Sequence, residues 1–209
     1  MKLNLFILPT LAFALTLAAG CQSKSHQSST SSSGPAAAER TGPATVVIAP
    51  AQPATAEAAS LKTIRIKAGG GAIKDSTGVE WLADIGFEGG DVIERPDLQI
   101  ANTRQPEIYR SEHYSMDAFS YKIPNGKYQV KLHFCETYEG IAGPGERVFS
   151  FDVEGKMYKD FDVWVKAGGS AKAYVETVDV KIADGKLDIK FTPQVENPQI
   201  NGVEIIPVP

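Results

Sequence analysis

Residues 61–209 predict an all-β sandwich, and three observations lead there. Apolar residues recur with a period of two in a series of short segments. Glycine-containing turns separate those segments. No stretch carries an apolar stripe at helical spacing over three turns. A strand that buries one face alternates in this way, and two sheets of such strands hide their apolar faces against each other. The expected topology is a jelly roll.

The first strand is expected at Thr63-Ile64-Arg65-Ile66-Lys67-Ala68. Tyr128, Val130, Leu132 and Phe134 alternate with Gln129, Lys131, His133 and Cys135; Phe149, Phe151 and Val153 alternate with Ser150, Asp152 and Glu154. Tyr174, Glu176, Val178, Val180 and Ile182 share one parity, with Glu176 the polar exception. Leu187, Ile189 and Phe191 follow, and Val203-Glu204-Ile205-Ile206 closes the series. Between them lie Pro124-Asn125-Gly126-Lys127, Glu154-Gly155-Lys156 and Ala183-Asp184-Gly185-Lys186. Each puts glycine where a positive φ is needed and reads as a β-hairpin turn.

The chain before residue 61 has a different character. Lys2 precedes an apolar run from Leu3 to Ala19, which is the pattern of a signal peptide over residues 1–20. The run ends in Leu17-Ala18-Ala19-Gly20-Cys21, which resembles the lipobox of bacterial lipoproteins, with Ala18 where that family prefers Leu. The resemblance implies cleavage before Cys21, diacylglycerol on its sulfur and a lipid anchor in the cell envelope. Gln22, where Asp would retain the protein in the inner membrane, favours the outer membrane in a Gram-negative cell. Two or three acyl chains make a stable anchor, at about 0.8 kcal/mol per buried CH₂. Residues 21–60 are rich in Ser, Ala, Pro and Thr, without an aromatic ring. Such a segment is expected to be a disordered tether, since it cannot bury enough surface to offset its ordering entropy.

Composition narrows the function. Acidic residues outnumber basic ones, 25 to 21, which argues against nucleic acid as a partner. His26, His113 and His133 have no metal-site spacing, no G-x-S-x-G nucleophile motif is present, and no cofactor is expected. With Cys21 acylated, Cys135 has no disulfide partner and is expected to be a small strand residue.

A series of motifs then carries a family resemblance. Ile66-Lys67-Ala68-Gly69-Gly70, Asp75 and Trp81-Leu82-Ala83-Asp84 open it. Tyr109-Arg110-Ser111-Glu112-His113-Tyr114, the strand from Tyr128 to Glu136-Thr137-Tyr138, and Arg147 to Gly155 follow. Lys159-Asp160-Phe161-Asp162-Val163 and Asn197-Pro198-Gln199-Ile200-Asn201-Gly202 complete the order. Together they resemble the malectin and malectin-like domains. That resemblance implies a galactose-binding-like jelly roll that binds carbohydrate and is not an enzyme, with its site on loops at one end. The founding member binds di-glucose units, and bacterial relatives often accompany glycan-degrading enzymes. Carried over by motif, Tyr114 and Tyr138 become the binding tyrosines, Glu196 beside Asn197 the polar partner, and Phe87 a further ring on a looser match. Glu139 stands where the family has Phe, His113 where it has Arg, and Cys135 where it has Ala. Exchanging a stacking ring for the Glu139 carboxylate shifts the expected ligand away from di-glucose or removes binding. Tyrosine also anchors protein interfaces, so a protein-interaction or structural module of the envelope, docking an envelope protein, stays open beside the lectin.

Overall fold

The computed structural model describes residues 61–209. The signal peptide, the acylated Cys21 and the tether fall on residues 1–60, outside the described residues. Along the described chain run β1 (Ile64–Lys67), β2 (Ile73–Lys74), β3 (Glu80–Trp81), β4 (Phe87–Glu94), β5 (Ser111–Lys122) and β6 (Gly126–Phe134). There follow β7 (Val148–Val153), β8 (Lys156–Phe161), the one-turn helix α1 (Val163–Ala167), β9 (Tyr174–Ile182), β10 (Lys186–Val195), β11 (Gln199–Ile200) and β12 (Gly202–Val208).

One sheet has the order β1-β12-β6-β9, so the first and last strands lie side by side. In the other, β4 pairs one edge of β5, and β11 and β10 share the opposite edge, with β7 and β8 beyond. All pairings between these strands are antiparallel. The period-two residues explain the layers: Tyr128, Val130, Leu132 and Phe134 of β6 turn inward, as do Phe149, Phe151 and Val153 of β7 and Leu187, Ile189 and Phe191 of β10. At the centre the Phe134 ring lies 4.9 Å from that of Phe161 and 5.9 Å from that of Phe151. Each such ring buries about 150–250 Å² and adds edge or tilted contacts to that burial. The all-β sandwich expected from the alternation is thus the fold.

Two of the three expected hairpins are not hairpins. Asn125-Gly126 carries the chain from β5 to β6, and Asp184-Gly185 carries it from β9 to β10; each pair of strands lies in opposite sheets. The inward faces on either side of these turns must meet across the core rather than lie side by side, so the chain arches over the edge. The two arches are stitched together, with the Asn125 side chain donating to the Ala183 carbonyl at 3.0 Å and accepting from Gly185 N–H at 2.7 Å. Only Glu154-Gly155, with both residues at positive φ (52° and 80°), closes a true hairpin between β7 and β8.

The outer face of β6 is capped as well. Trp81, Ile108, Tyr109 and Cys135 form a second small core there. His133 accepts or donates at Nδ1 with the Tyr109 hydroxyl at 2.8 Å, and at Nε2 meets Glu204, which also accepts from Arg65. The Trp81 indole N–H donates to Asp75 at 3.0 Å. Burial works against the Asp75 carboxylate, but donors from Thr77, Trp81 and Val79 outweigh it and hold its pKa at about 2.

Candidate functional site

One end of the sandwich carries a cavity of about 300 Å³ lined by Ile93, Arg95, Glu112, Tyr114, Tyr138, Arg147, Glu196 and Asn197. Four stretches converge on it: the end of β4, the start of β5, the loop after β6, and the β10–β11 connection. Strand chemistry sets each position. β4 carries a bulge between Glu88 and Gly89 that re-aims its last residues along β5. Gly90 makes this possible: at φ +80° a Cβ there would fall 2.3 Å from the Tyr114 carbonyl oxygen. Gly69 does the same below, where a Cβ would stand 2.2 Å from the Glu112 carbonyl. The two glycines bring neighbouring backbones close against β5 where it carries Glu112 and Tyr114.

Two arginine–glutamate pairs lie under the cavity. Arg95 Nη1 donates to Glu112 Oε1 at 3.2 Å and to the Thr137 hydroxyl at 3.0 Å, and that hydroxyl donates to Glu112 Oε2 at 2.6 Å. Arg147 Nε donates to Glu136 Oε2 at 2.7 Å, and its Nη1 donates to the Asn197 carbonyl. Glu136 Oε1 accepts from the Tyr138 N–H at 3.0 Å. Burial pushes the Glu136 carboxyl up, and Arg147 with the Tyr138 N–H pulls only part of that back. A guanidinium has five N–H donors, so these bonds leave donors on both arginines for a ligand or water. The Arg147–Asn197 bond also ties the β10–β11 connection down. There the β10–β7 pairing slips between Pro193 and Val195, and Glu196 adopts a left-handed φ of 57°. On the far side, Ser115, itself at φ 59°, donates to the Pro198 carbonyl at 2.9 Å.

The aromatic residues differ in access. Tyr114 is half-buried in β5, paired with Asp91 and Gln199. Tyr138 is 47% exposed and folds over Gly140. Its ring also lines a second cavity of about 400 Å³, on the side that holds Glu139 and Trp164. Of the sequence-derived residues, then, Tyr114, Tyr138, Glu196 and Asn197 come together around the first cavity. Glu139 lies in the second. Phe87 lines neither: its ring stacks on His113 at 4.5 Å and leans on Phe119 at 5.0 Å. Arg95, Arg147, Glu112 and Ile93 join the cavity without having been chosen from sequence. For Arg147 the available signal was a charge directly before the apolar run Val148-Phe149; Glu112, between Ser111 and His113, carried no such signal, and both are buried, which demands a partner.

The family model described as the Malectin domain matches residues 62–204. Malectin-B of Xenopus laevis is 30% identical over 134 residues, covering 60% of this chain and 47% of that protein. Malectin of Danio rerio is 28% identical over 133 residues, 59% of this chain and 45% of that protein. The chain thus spans about half the length of the curated relatives it matches. Among solved structures, the ANX2 ectodomain of Arabidopsis thaliana aligns over 70% of this chain and 49% of its own, with a TM-score of 0.61 and 17% identity. A Bacteroides uniformis β-glucuronidase aligns over 71% of this chain but 18% of its own, with a TM-score of 0.64 and 16% identity. These two likenesses speak to the fold alone. The Malectin domain model spans both sheets and every stretch that lines the first cavity, and this chain belongs to the malectin domain family.

Proposed function

We propose that the protein is a non-catalytic carbohydrate-binding module, tethered to the cell envelope by a lipid on Cys21, and that the first cavity holds part of an oligosaccharide. The observation that carries this reading is the pairing of Tyr114 and the half-exposed Tyr138 with polar groups of Glu196, Asn197, Arg95 and Arg147 in one open cavity. Sugars offer C–H faces that pack on aromatic rings and hydroxyls that need oriented donors and acceptors, and this lining offers both. Hydrolysis of a glycosidic bond would need two working carboxyl groups. Glu112 and Glu136 have both oxygens committed to internal donors. Among the described residues that line the cavity, Glu196 is the carboxylate with no side-chain hydrogen-bond partner.

A glycan array followed by calorimetric titration tests the lectin reading. Binding of a defined oligosaccharide that is lost in a folded Tyr138→Ala variant supports it. Silence across glucan, galactan and peptidoglycan panels sinks it and favours docking of an envelope protein. Palmitate incorporation, abolished by Cys21→Ser, tests the anchor.

A further inference from the structure

Tyr138 stands between two cavities, not at the edge of one. The second, about 400 Å³, is lined by Leu98, Tyr138, Glu139, Ile141, Trp164 and Ser170 among others. Both volumes fall at the small end of the range for ligand sites, about 300–1,000 Å³. Trp164 is the unusual wall. The other tryptophan, Trp81, is 2% exposed and its N–H is taken by Asp75. A buried indole normally finds such a partner. Trp164 is only partly buried, and no described residue accepts from its indole N–H. Neither of the two clusters that form the core includes it.

The backbone that carries Trp164 is nonetheless fixed. Asp162 caps its helix, accepting from Val165 N–H at 3.0 Å and from Gly145 N–H at 2.6 Å. Gly168 and Gly169 both donate to the Trp164 carbonyl at 2.9 Å. Behind it Val163 is fully buried and anchors the turn. The opposite wall is pinned too: Ala171 N–H donates to the Glu136 carbonyl and Ala101 N–H to the Ala171 carbonyl, both at 2.8 Å. An indole on a fixed turn, whose N–H no described residue accepts from, lining a cavity that also offers the Glu139 carboxylate and the Ser170 hydroxyl, has the make-up of a sugar subsite.

We propose that the second cavity is an extension subsite, in which the glycan chain continues from the first cavity across the Tyr138 ring and packs a further sugar against Trp164, with Glu139 and Ser170 accepting and donating to its hydroxyls. This rests on the carbohydrate-binding reading of the first cavity. It makes chain length the property that Trp164 controls. It also gives Glu139 a role that a shared cavity with Tyr114 would not: it selects the added sugar by its hydroxyl pattern.

The test is calorimetric titration of the full chain in detergent with ladders of two to six units of gluco-, galacto- and N-acetylglucosamine oligosaccharides. In the ladder that binds, the tetrasaccharide is expected to bind about tenfold tighter than the disaccharide, or ~1.4 kcal/mol. Trp164→Ala should bring the tetrasaccharide down to the affinity of the disaccharide, and Trp164→Phe should restore part of the gain. Tyr114→Ala should weaken every length. Thermal unfolding of each variant separates lost contacts from lost folding. A wild-type affinity that does not rise with length, a length gain that survives Trp164→Ala, or an equal loss at all lengths overturns the subsite and leaves the first cavity standing. Failure of all three ladders to bind overturns both readings.

Discussion

Gly140 offers the sharpest way to move the shared ring without touching it chemically. A Cβ at this position would fall 2.4 Å from Tyr138 Cε1, 2.6 Å from Cζ and 2.9 Å from the hydroxyl oxygen. Ordinary contact begins near 3.4 Å, so in Gly140→Ala the ring must swing aside by roughly 1 Å at its near edge. The backbone itself has little reason to resist. Gly140 is exposed and has no left-handed φ. Replacing glycine at a compatible position stabilises by about 0.4–1 kcal/mol through the unfolded state. Aromatic packing of the kind Tyr138 would make with a sugar contributes about 0.5–1.5 kcal/mol beyond area burial. Displacing the ring should therefore weaken oligosaccharide binding about two- to tenfold while the Tm stays level or rises slightly. Titration calorimetry beside differential scanning calorimetry measures both. Unchanged affinity would refute the assignment of Tyr138 to the ligand, and a Tm drop of several degrees would show that the ring is part of the core instead.

Three further outcomes follow from the polar groups. Arg147→Ala strands the fully buried Glu136 without its cation, so urea unfolding should show a loss of about 3–5 kcal/mol, whereas Arg147→Met with Glu136→Leu should recover most of it. Asp75→Ala leaves the buried Trp81 indole without an acceptor and the Gln105 amide with only the Thr77 hydroxyl, and should lower stability by about 2–4 kcal/mol in the same assay. The Asp75 contribution is present at pH above about 4 and fades as pH falls through about 2, its folded-state pKa, so wild type and variant should converge in acid. His113 behaves in the opposite sense: burial pushes its pKa down, but Asp84, the Gly89 carbonyl and Asp91 outweigh that and raise it. Its stabilisation is thus complete below about pH 6.5 and lost as pH rises through the raised folded value; Tm should fall across that window, and the slope should flatten in Asp84→Asn.

The strands that bury one face were legible because burial imposes the alternation that a sequence displays. β4 was not. It is an edge strand exposed along most of its length, with a bulge and a Gly89-Gly90 pair, so no face of it needed a periodic apolar set. The arches at Asn125 and Asp184 misled for a related reason: turn residues report local φ, and whether the next strand stays in the sheet is decided by the core. The site divides in the same way. Tyr114 and Tyr138 stood out by type and motif. Arg95 meets Glu112 across 17 positions and Arg147 meets the Asn197 carbonyl across 50, and nothing local encodes such meetings. Glu139 lines the second cavity, which Tyr138 shares, and not the first; β6 ends at Phe134, so strand parity gives no direction for either residue. Phe87 pairs with Phe119 in the ladder and packs in the core's fringe, where a ring is explained by burial alone.

The site's floor is built in a way that stability does not require. Taking two ion pairs out of water is expensive, and apolar residues of like volume often do as well or better. A core under selection for stability alone has no need of Arg95 with Glu112 and Arg147 with Glu136 at one end of the sandwich. Left-handed backbone at a residue other than glycine costs roughly 1–2 kcal/mol, yet Ser115 and Glu196 both adopt it where β5 and the β10–β11 connection meet. Each unfavourable feature fixes something that lines the cavity. Glu112 and Thr137 hold the Arg95 guanidinium, Glu136 holds that of Arg147, and Arg147 with Ser115 clamps the loop that presents Glu196 and Asn197. Polar groups held in place before a ligand arrives lose little freedom when it binds. The two arginine–glutamate pairs and the clamped Glu196 loop make sense together if the cavity they frame is selected to bind.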